Sequence, residues 1–319
     1  MSLKVLFSIH LFPPAHLCGA ELYAVKMAKM MQQMGHQVKV YLHRFPGSVN
    51  DTVYYYDGIE VFPPLSNDVK NGCFDWADLV ITHLDFAQYT ILKTSQLRKP
   101  VVFVVHNTSH YYDCMINNNK HTYVIYNSEH SKTELNYKRP SMVLPPQIDM
   151  ERVVVKENTK QYYTLINICD NKGVRQFYEI ARLMPDKQFL GVKGSYMEQE
   201  VNCPPNVTIW DKQEDIKKVY GVTKVLLMPS DYESYGMTAS EALANGIPVI
   251  CTPTDGLKEN CGEGAQYLPR EDVKKWVSLL RKLDAPKEYD KWSRAGLTRT
   301  TTRENKFKEL ELFLNECTL

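Results

Sequence analysis

Apolar residues in this chain come in short runs separated by longer stretches with helical spacing. Residues 3–9, apolar except at Lys4 and Ser8, form a run of the kind seen in a strand buried on both faces. Residues 19–34 place Leu22, Val25, Met27, Met30, Met31 and Met34 at helical spacing, and Gly35 is a residue suited to end that helix. Residues 38–42, 79–82, 101–105 and 123–126 repeat the short-run pattern. Leu144-Pro145-Pro146 then breaks the alternation, because two prolines continue neither a helix nor a central strand, and a hinge is expected there. The alternation resumes with strands at 163–168, 188–192, 224–228 and 248–251 and helices at 174–184 and 238–244, and the chain beyond Glu271 reads as mostly helical. This pattern predicts an α/β fold of two Rossmann-like, doubly wound parallel-sheet domains facing a cleft. The expected division is 1–145 for the first domain, 146–302 for the second, and 303–319 for a C-terminal helix that can pack back on the first.

Composition narrows the function classes. The chain of 319 residues is long enough for two domains, and 44% hydrophobic with 24% charged residues supports an ordinary core without disulfide or metal staples. A formal net charge of +1 lacks the basic excess of a nucleic-acid binder. None of the eight cysteines forms a Cys-x-x-Cys pair or stands at zinc-ligand spacing, which points to reduced thiols and a cytoplasmic location. The apolar start reads as a first strand rather than a signal peptide, and no run of 18 apolar residues offers a transmembrane helix. All nine histidines fall between His10 and His130, so the two halves differ in composition.

The most informative segment runs from Pro229 to Glu241, following a buried strand and opening a helix. Glu233 and Glu241 stand eight residues apart around a small-residue turn at Ser234 and Gly236. Main-chain N–H groups of Ser234, Tyr235, Gly236, Met237 and Thr238 at a helix N-terminus suit an anion such as a diphosphate. Glu233 is placed to accept hydrogen bonds from sugar hydroxyls and Glu241 from ribose hydroxyls, since a carboxylate presents two acceptor oxygens. A purely structural reading is also open: Thr238-Ala-Ser-Glu241 has the form of a capping box.

The wider segment, continuing through Ala-Leu-Ala-Asn-Gly-Ile-Pro-Val-Ile, resembles the donor-site signature of the retaining glycosyltransferases of family 4, which have the two-domain GT-B fold. Asn171-Lys-Gly-Val-Arg resembles the Lys-Gly helix start of that family, Leu227-Met-Pro-Ser and Thr254-Asp-Gly-Leu-Lys-Glu also fit, and in the first half Cys18-Gly19-Ala20-Glu21, Gly35-His-Gln-Val-Lys-Val and Tyr126-Asn-Ser-Glu-His-Ser resemble its loops. The resemblance implies a nucleotide diphosphate sugar donor, no cofactor or metal, retention at the anomeric carbon, and a carbohydrate, lipid, protein or nucleic-acid acceptor. It gives Lys172 the role of a point charge for the diphosphate, where the residue alone reads as a solvated lysine. It gives His106, at the end of the strand 101–105, a place beside the transferred sugar, where a strand-end histidine is the plainer reading. Gly19 would let the backbone approach a phosphate, Glu21 reads as a carboxylate for the helix dipole, and His83 and Asp85 are guesses for the acceptor side. Asn167 stands where the family has a second phosphate-binding cation, and Lys193 or Arg175 could substitute. His106 and His110 together suggest a metal pair, but no third ligand is spaced nearby, so no metal site is expected. The alternatives are a donor-binding pseudoenzyme, a nucleotide-sugar epimerase and a DNA-modifying glucosyltransferase, the last disfavoured by the charge.

Overall fold

The computed structural model describes residues 2–14, 16–44, 52–303 and 305–318. Two units emerge, one of Met1–Gln147 with Asn305–Leu319 and one of Ile148–Glu304. The change of unit falls between Gln147 and Ile148, one residue past Pro145-Pro146.

The first unit holds β1 (Lys4–Ile9), β2 (Gln37–Leu42), β3 (Tyr54–Tyr56), β4 (Ile59–Phe62), β5 (Leu79–His83), β6 (Val101–Val105), β7 (Thr122–Tyr126) and β8 (Ser141–Val143). They form one sheet in the order β3-β4-β2-β1-β5-β6-β7-β8, parallel throughout except for the antiparallel pair β3–β4. Period-two alternation buries both faces: Val5, Phe7 and Ile9 enter one apolar cluster, and Leu6 between them enters the other. Helix Gly19–Gln33 covers the first face with Tyr23, Val25, Met27, Met30 and Met31, and helix Phe307–Cys317 adds Leu310, Phe313 and Leu314 to the same cluster. Strands β3, β4 and β8 were not expected; at three or four residues each they carry too short an alternation to read.

The second unit holds β9 (Tyr162–Ile166), β10 (Phe189–Val192), β11 (Val207–Trp210), β12 (Thr223–Met228), β13 (Val249–Cys251) and β14 (Gln266–Tyr267), all parallel, in the order β11-β10-β9-β12-β13-β14. Again Val225 and Leu227 face one cluster and Leu226 and Met228 the other. In each sheet the strand order reverses once, between β1 and β5 and between β9 and β12. The loops leaving the C-terminal ends of two such neighbours run to opposite sides and open a crevice, the place where doubly wound sheets bind ligands. No helix among the described residues is long and apolar enough to cross a membrane.

Asp284 ties the second unit together away from that crevice. It accepts hydrogen bonds from Lys224 at 2.6 Å and Tyr163 at 2.9 Å and pairs with Lys187 at 2.8 Å. Burial alone would raise its pKa, but the hydrogen bonds from Lys187, Lys224 and Tyr163 outweigh it and hold the carboxyl at about 2. A depressed carboxyl contributes stability that is present above its ordinary value of 3.8 and is lost as pH falls through the folded value. Asp284→Asn is therefore expected to cost about 1–2 kcal/mol at neutral pH. The gap from wild type in urea melts should close between about pH 4 and pH 2; a gap that stays constant through that window would show that the charge is not what matters.

Candidate functional site

The expected donor residues of the second unit meet at its strand-order reversal. After β9 the chain passes Asn167 and a turn of 3-10 helix, Asp170–Lys172, into helix Val174–Leu183. After β12 it passes Pro229 to Gly236 into helix Met237–Ala244. The two loops touch: the Asp231 N–H donates to the Asn171 carbonyl at 2.9 Å. Gly173 makes this approach, at φ +81° and with so little room that a Cβ would lie 2.1 Å from the Pro229 carbonyl oxygen.

Across this junction Lys172 Nζ meets Glu233 Oε1 at 2.6 Å, and the Ser230 hydroxyl donates to the same oxygen at 3.0 Å. The side chains are only 16% and 9% exposed, so Lys172 is not the solvated surface lysine that its local sequence suggests. Burial alone would lower the Lys172 pKa, but the neighbouring Glu233 charge and Tyr196 outweigh it and raise it, keeping the cation charged. The sequence reading assigned the two residues separate tasks, phosphate and sugar; the structure makes them one pair.

Helix Met237–Ala244 begins at Gly236, held at φ +84°, and no side chain caps it. The capping box read from Thr238 and Glu241 is not formed. Thr238 lies inside the helix, and Glu241 accepts a hydrogen bond from Tyr220 at 2.6 Å. Burial, the largest influence, raises the Glu241 pKa despite that bond. Tyr235 is 5% exposed with its hydroxyl bound to Arg303 at 2.7 Å, so only its main chain can serve a ligand. Ser234 and Met237 flank Tyr235 and Gly236 on the same turn and are half-buried.

Residues missed in the sequence hold this turn. Asn260, fully buried, donates to the carbonyls of Tyr235 at 2.9 Å and Gly236 at 2.8 Å. Those carbonyls are thereby directed into the unit. Gly256 packs so closely that a Cβ would meet the Glu233 carbonyl oxygen at 2.2 Å and Ser234 main-chain atoms at 2.5 Å. Only the Thr254-Asp-Gly pattern pointed to it. Asn167 adopts φ +70° and accepts a hydrogen bond from Gln199 at 2.9 Å. Neither suggested substitute for the missing cation is committed to this place: Lys193 pairs with Asp211 and Arg175 with Asp170, both near the surface. Arg270, 15% exposed, instead links the two loops, pairing with Asp231 and donating to the Asp170 carbonyl at 2.7 Å.

In the first unit Gly19 is exposed at the start of helix Gly19–Gln33. His106 follows β6 and its Nε2 lies 2.9 Å from Nδ1 of His83, at the end of β5. Burial, ahead of the neighbouring charges, lowers the His106 pKa to about 4 and puts that of His83 well below its usual value. His110 belongs to a separate exposed turn and bonds Asp113 at 2.8 Å, so the pair with His106 is not formed. Asp85 is exposed and pairs with Arg44 at 2.9 Å. Glu21 is not a solvent-facing dipole carboxylate: it is 1% exposed, within 3.1 Å of His10 and 3.3 Å of His16. Burial raises its pKa, but the contact with His10 and the close approach of His16 and His83 outweigh it and hold it far below the usual range.

With this geometry in view, the comparisons agree on class. Residues 148–298, nearly the whole second unit, match the family model described as Glycosyl transferases group 1. The chain is 36% identical over 72 residues to the D-inositol 3-phosphate glycosyltransferase of Corynebacterium urealyticum, covering 22% of this chain and 17% of the relative. It is 30% identical over 88 residues to the mannosylfructose-phosphate synthase of Agrobacterium fabrum, covering 26% and 19%. The matched stretch thus spans under a fifth of either relative's length. Among solved structures, sucrose-phosphate synthase from Thermosynechococcus elongatus superposes with a TM-score of 0.79 at 14% identity over 98% of both chains. HepE from Anabaena in complex with UDP-glucose gives 0.78 at 15% identity over 98% and 99%. At such identities the likeness speaks for the fold alone, and that fold is GT-B.

Proposed function

We propose that the protein transfers a sugar from a nucleotide diphosphate donor to an acceptor with retention of anomeric configuration. The observation that carries this is the buried Lys172–Glu233 pair beside the uncapped N-terminus of helix Met237–Ala244, within a Glycosyl transferases group 1 domain. The main-chain amides at Gly236, Met237 and Thr238 and the Lys172 cation are suited to the charge that develops on the departing diphosphate. Glu233, with one oxygen engaged by Lys172 and Ser230, offers the other to a sugar hydroxyl. Glu241 is assigned to the ribose, and His106, kept neutral by its surroundings, to the transferred sugar. Gly19 is assigned to the diphosphate.

In the step itself the acceptor oxygen bonds to the anomeric carbon and the bond from that carbon to the phosphate oxygen breaks. The acceptor proton passes to the departing phosphate on the same face. The protein's contribution is positioning and charge stabilisation. No divalent cation is assigned to the diphosphate, because Lys172 and the helix amides supply the positive charge. A cytoplasmic, reducing location accords with eight cysteines that form no disulfide among the described residues.

HepE was crystallised with UDP-glucose, which makes that the first donor to try. Purified protein should melt higher with one of UDP-glucose, GDP-mannose or ADP-glucose than with buffer, since binding to the native state stabilises it by mass action. Product NMR should show the donor's anomeric configuration retained. Adding Mg²⁺ or Mn²⁺ to EDTA-treated protein should leave the transfer rate unchanged. Absence of stabilisation by every nucleotide sugar would sink the donor assignment, stabilisation without transfer would favour the pseudoenzyme, and an inverted product would remove the proposed mechanism.

A further inference from the structure

The strand-order reversal of the first unit gathers a second set of side chains that sugar transfer does not explain. His10 directly follows β1, His83 ends β5, and Glu21 lies in the first turn of helix Gly19–Gln33. All three are buried, at 7%, 2% and 1% exposure. Each offers one ligand atom, and these atoms lie within 4.8 Å of one another. His10 Nε2 and Glu21 Oε1 are 3.1 Å apart. Two ligands of a tetrahedral zinc ion with bonds of about 2.0 Å stand about 3.3 Å apart, so that spacing needs little adjustment.

The hydrogen bonding of the group is incomplete. His10 Nδ1, His83 Nε2 and Glu21 Oε2 are buried without a hydrogen-bond partner. His16 Nδ1 faces Glu21 Oε2 at 3.3 Å without hydrogen-bond geometry. Each buried polar atom left unpaired costs about 1–3 kcal/mol, and each of the three clustered residues carries one. His83 also has the arrangement of a metal-bound histidine: its Nδ1 is engaged by His106 Nε2 at 2.9 Å while its Nε2 is left without a partner.

We infer that His10, Glu21 and His83 form a binding site for a transition-metal dication of the zinc class. Two imidazoles and a carboxylate are the donor set of three-ligand zinc sites, which leave a fourth position to water, whereas magnesium and calcium take oxygen ligands. His16 then braces the outer oxygen of Glu21. A metal on His83 Nε2 places the proton on Nδ1, where it is donated to His106 Nε2. This fixes the orientation of His106 before any sugar arrives. The three ligands are not donor-site residues; the site touches the donor assignment only through the His83–His106 contact.

The test is a Co²⁺ titration of EDTA-stripped protein, read by the visible bands that appear when cobalt becomes four- or five-coordinate. About one equivalent should bind per chain and be displaced by Zn²⁺. Zn²⁺ should raise the melting temperature and Mg²⁺ should not. His10→Gln should weaken cobalt binding by roughly a hundredfold or more, His16→Gln by roughly tenfold, and His110→Ala, at an exposed histidine, not at all. If His10→Gln does not fold, the wild-type titration and melts decide alone. Absence of cobalt bands and of zinc stabilisation in wild type, or unweakened binding in folded His10→Gln, would overturn the site. Melts with UDP-glucose on the same metal-free preparation read the donor half separately.

Discussion

Lys172→Met is expected to lower kcat by roughly 10²–10³-fold and, separately, to destabilise the second unit by about 3 kcal/mol. The first effect follows from removing a cation placed for the leaving diphosphate. The second follows from leaving Glu233, 9% exposed, with the neutral Ser230 hydroxyl in place of the cation as its partner among the described residues. Breaking a buried pair by deleting one partner costs more than the pair itself contributes, because the desolvated charge remains. The double variant Lys172→Met, Glu233→Gln separates the two effects. It should regain most of the lost stability in urea melts, since no uncompensated charge is left, while activity stays low. A double variant no more stable than the single one would show that the Coulombic pairing is not what joins the loops.

Gly256→Ala should have a comparable effect by a steric route. The added Cβ would stand 2.2 Å from the Glu233 carbonyl oxygen and 2.5 Å from the Ser234 carbonyl carbon and oxygen. These are main-chain atoms, so no side-chain rotation relieves the clash. Either helix Asp255–Cys261 or the Glu233 turn must move, at about 3 kcal/mol, and stabilisation by a nucleotide sugar should fall with it. Gly72→Ala provides the contrast. Gly72 lies inside helix Asn67–Trp76 and an added Cβ meets nothing within 4 Å. There alanine should stabilise by about 0.5–1 kcal/mol, because it restricts the unfolded chain and favours the helix. Thermal melts of the two variants should move in opposite directions; equal destabilisation would contradict the packing argument.

The parallel sheets were legible because strands buried on both faces leave mostly apolar runs, as in residues 3–9 and 224–228, and these appear as β1 and β12. The short edge strands β3, β8 and β14 were not legible, since two or three residues carry no period. Within the site, Lys172 was found through its Lys-Gly step and Glu233 through its spacing to Glu241, but their contact was not. They are 61 residues apart, and only the reversal of strand order between β9 and β12 brings their loops together. The capping box at Thr238 was misread because a short local pattern cannot show where a helix starts. Gly236 at φ +84° starts this one. Asn260 and Arg270 carried no signal at all, as their partners lie on other loops.

The amino-acid sequence by itself determined the alternation of strands and helices, the break at Pro145-Pro146 and the chemical types around the Glu233 turn, because hydrophobic periodicity and backbone restrictions act over a few residues. Tertiary structure decided which charges became partners. It buried Lys172 against Glu233 and gathered His10, Glu21 and His83 from three separate elements, because electrostatic and ligand geometry depend on distance in space and on exclusion of water, which sheet topology alone sets.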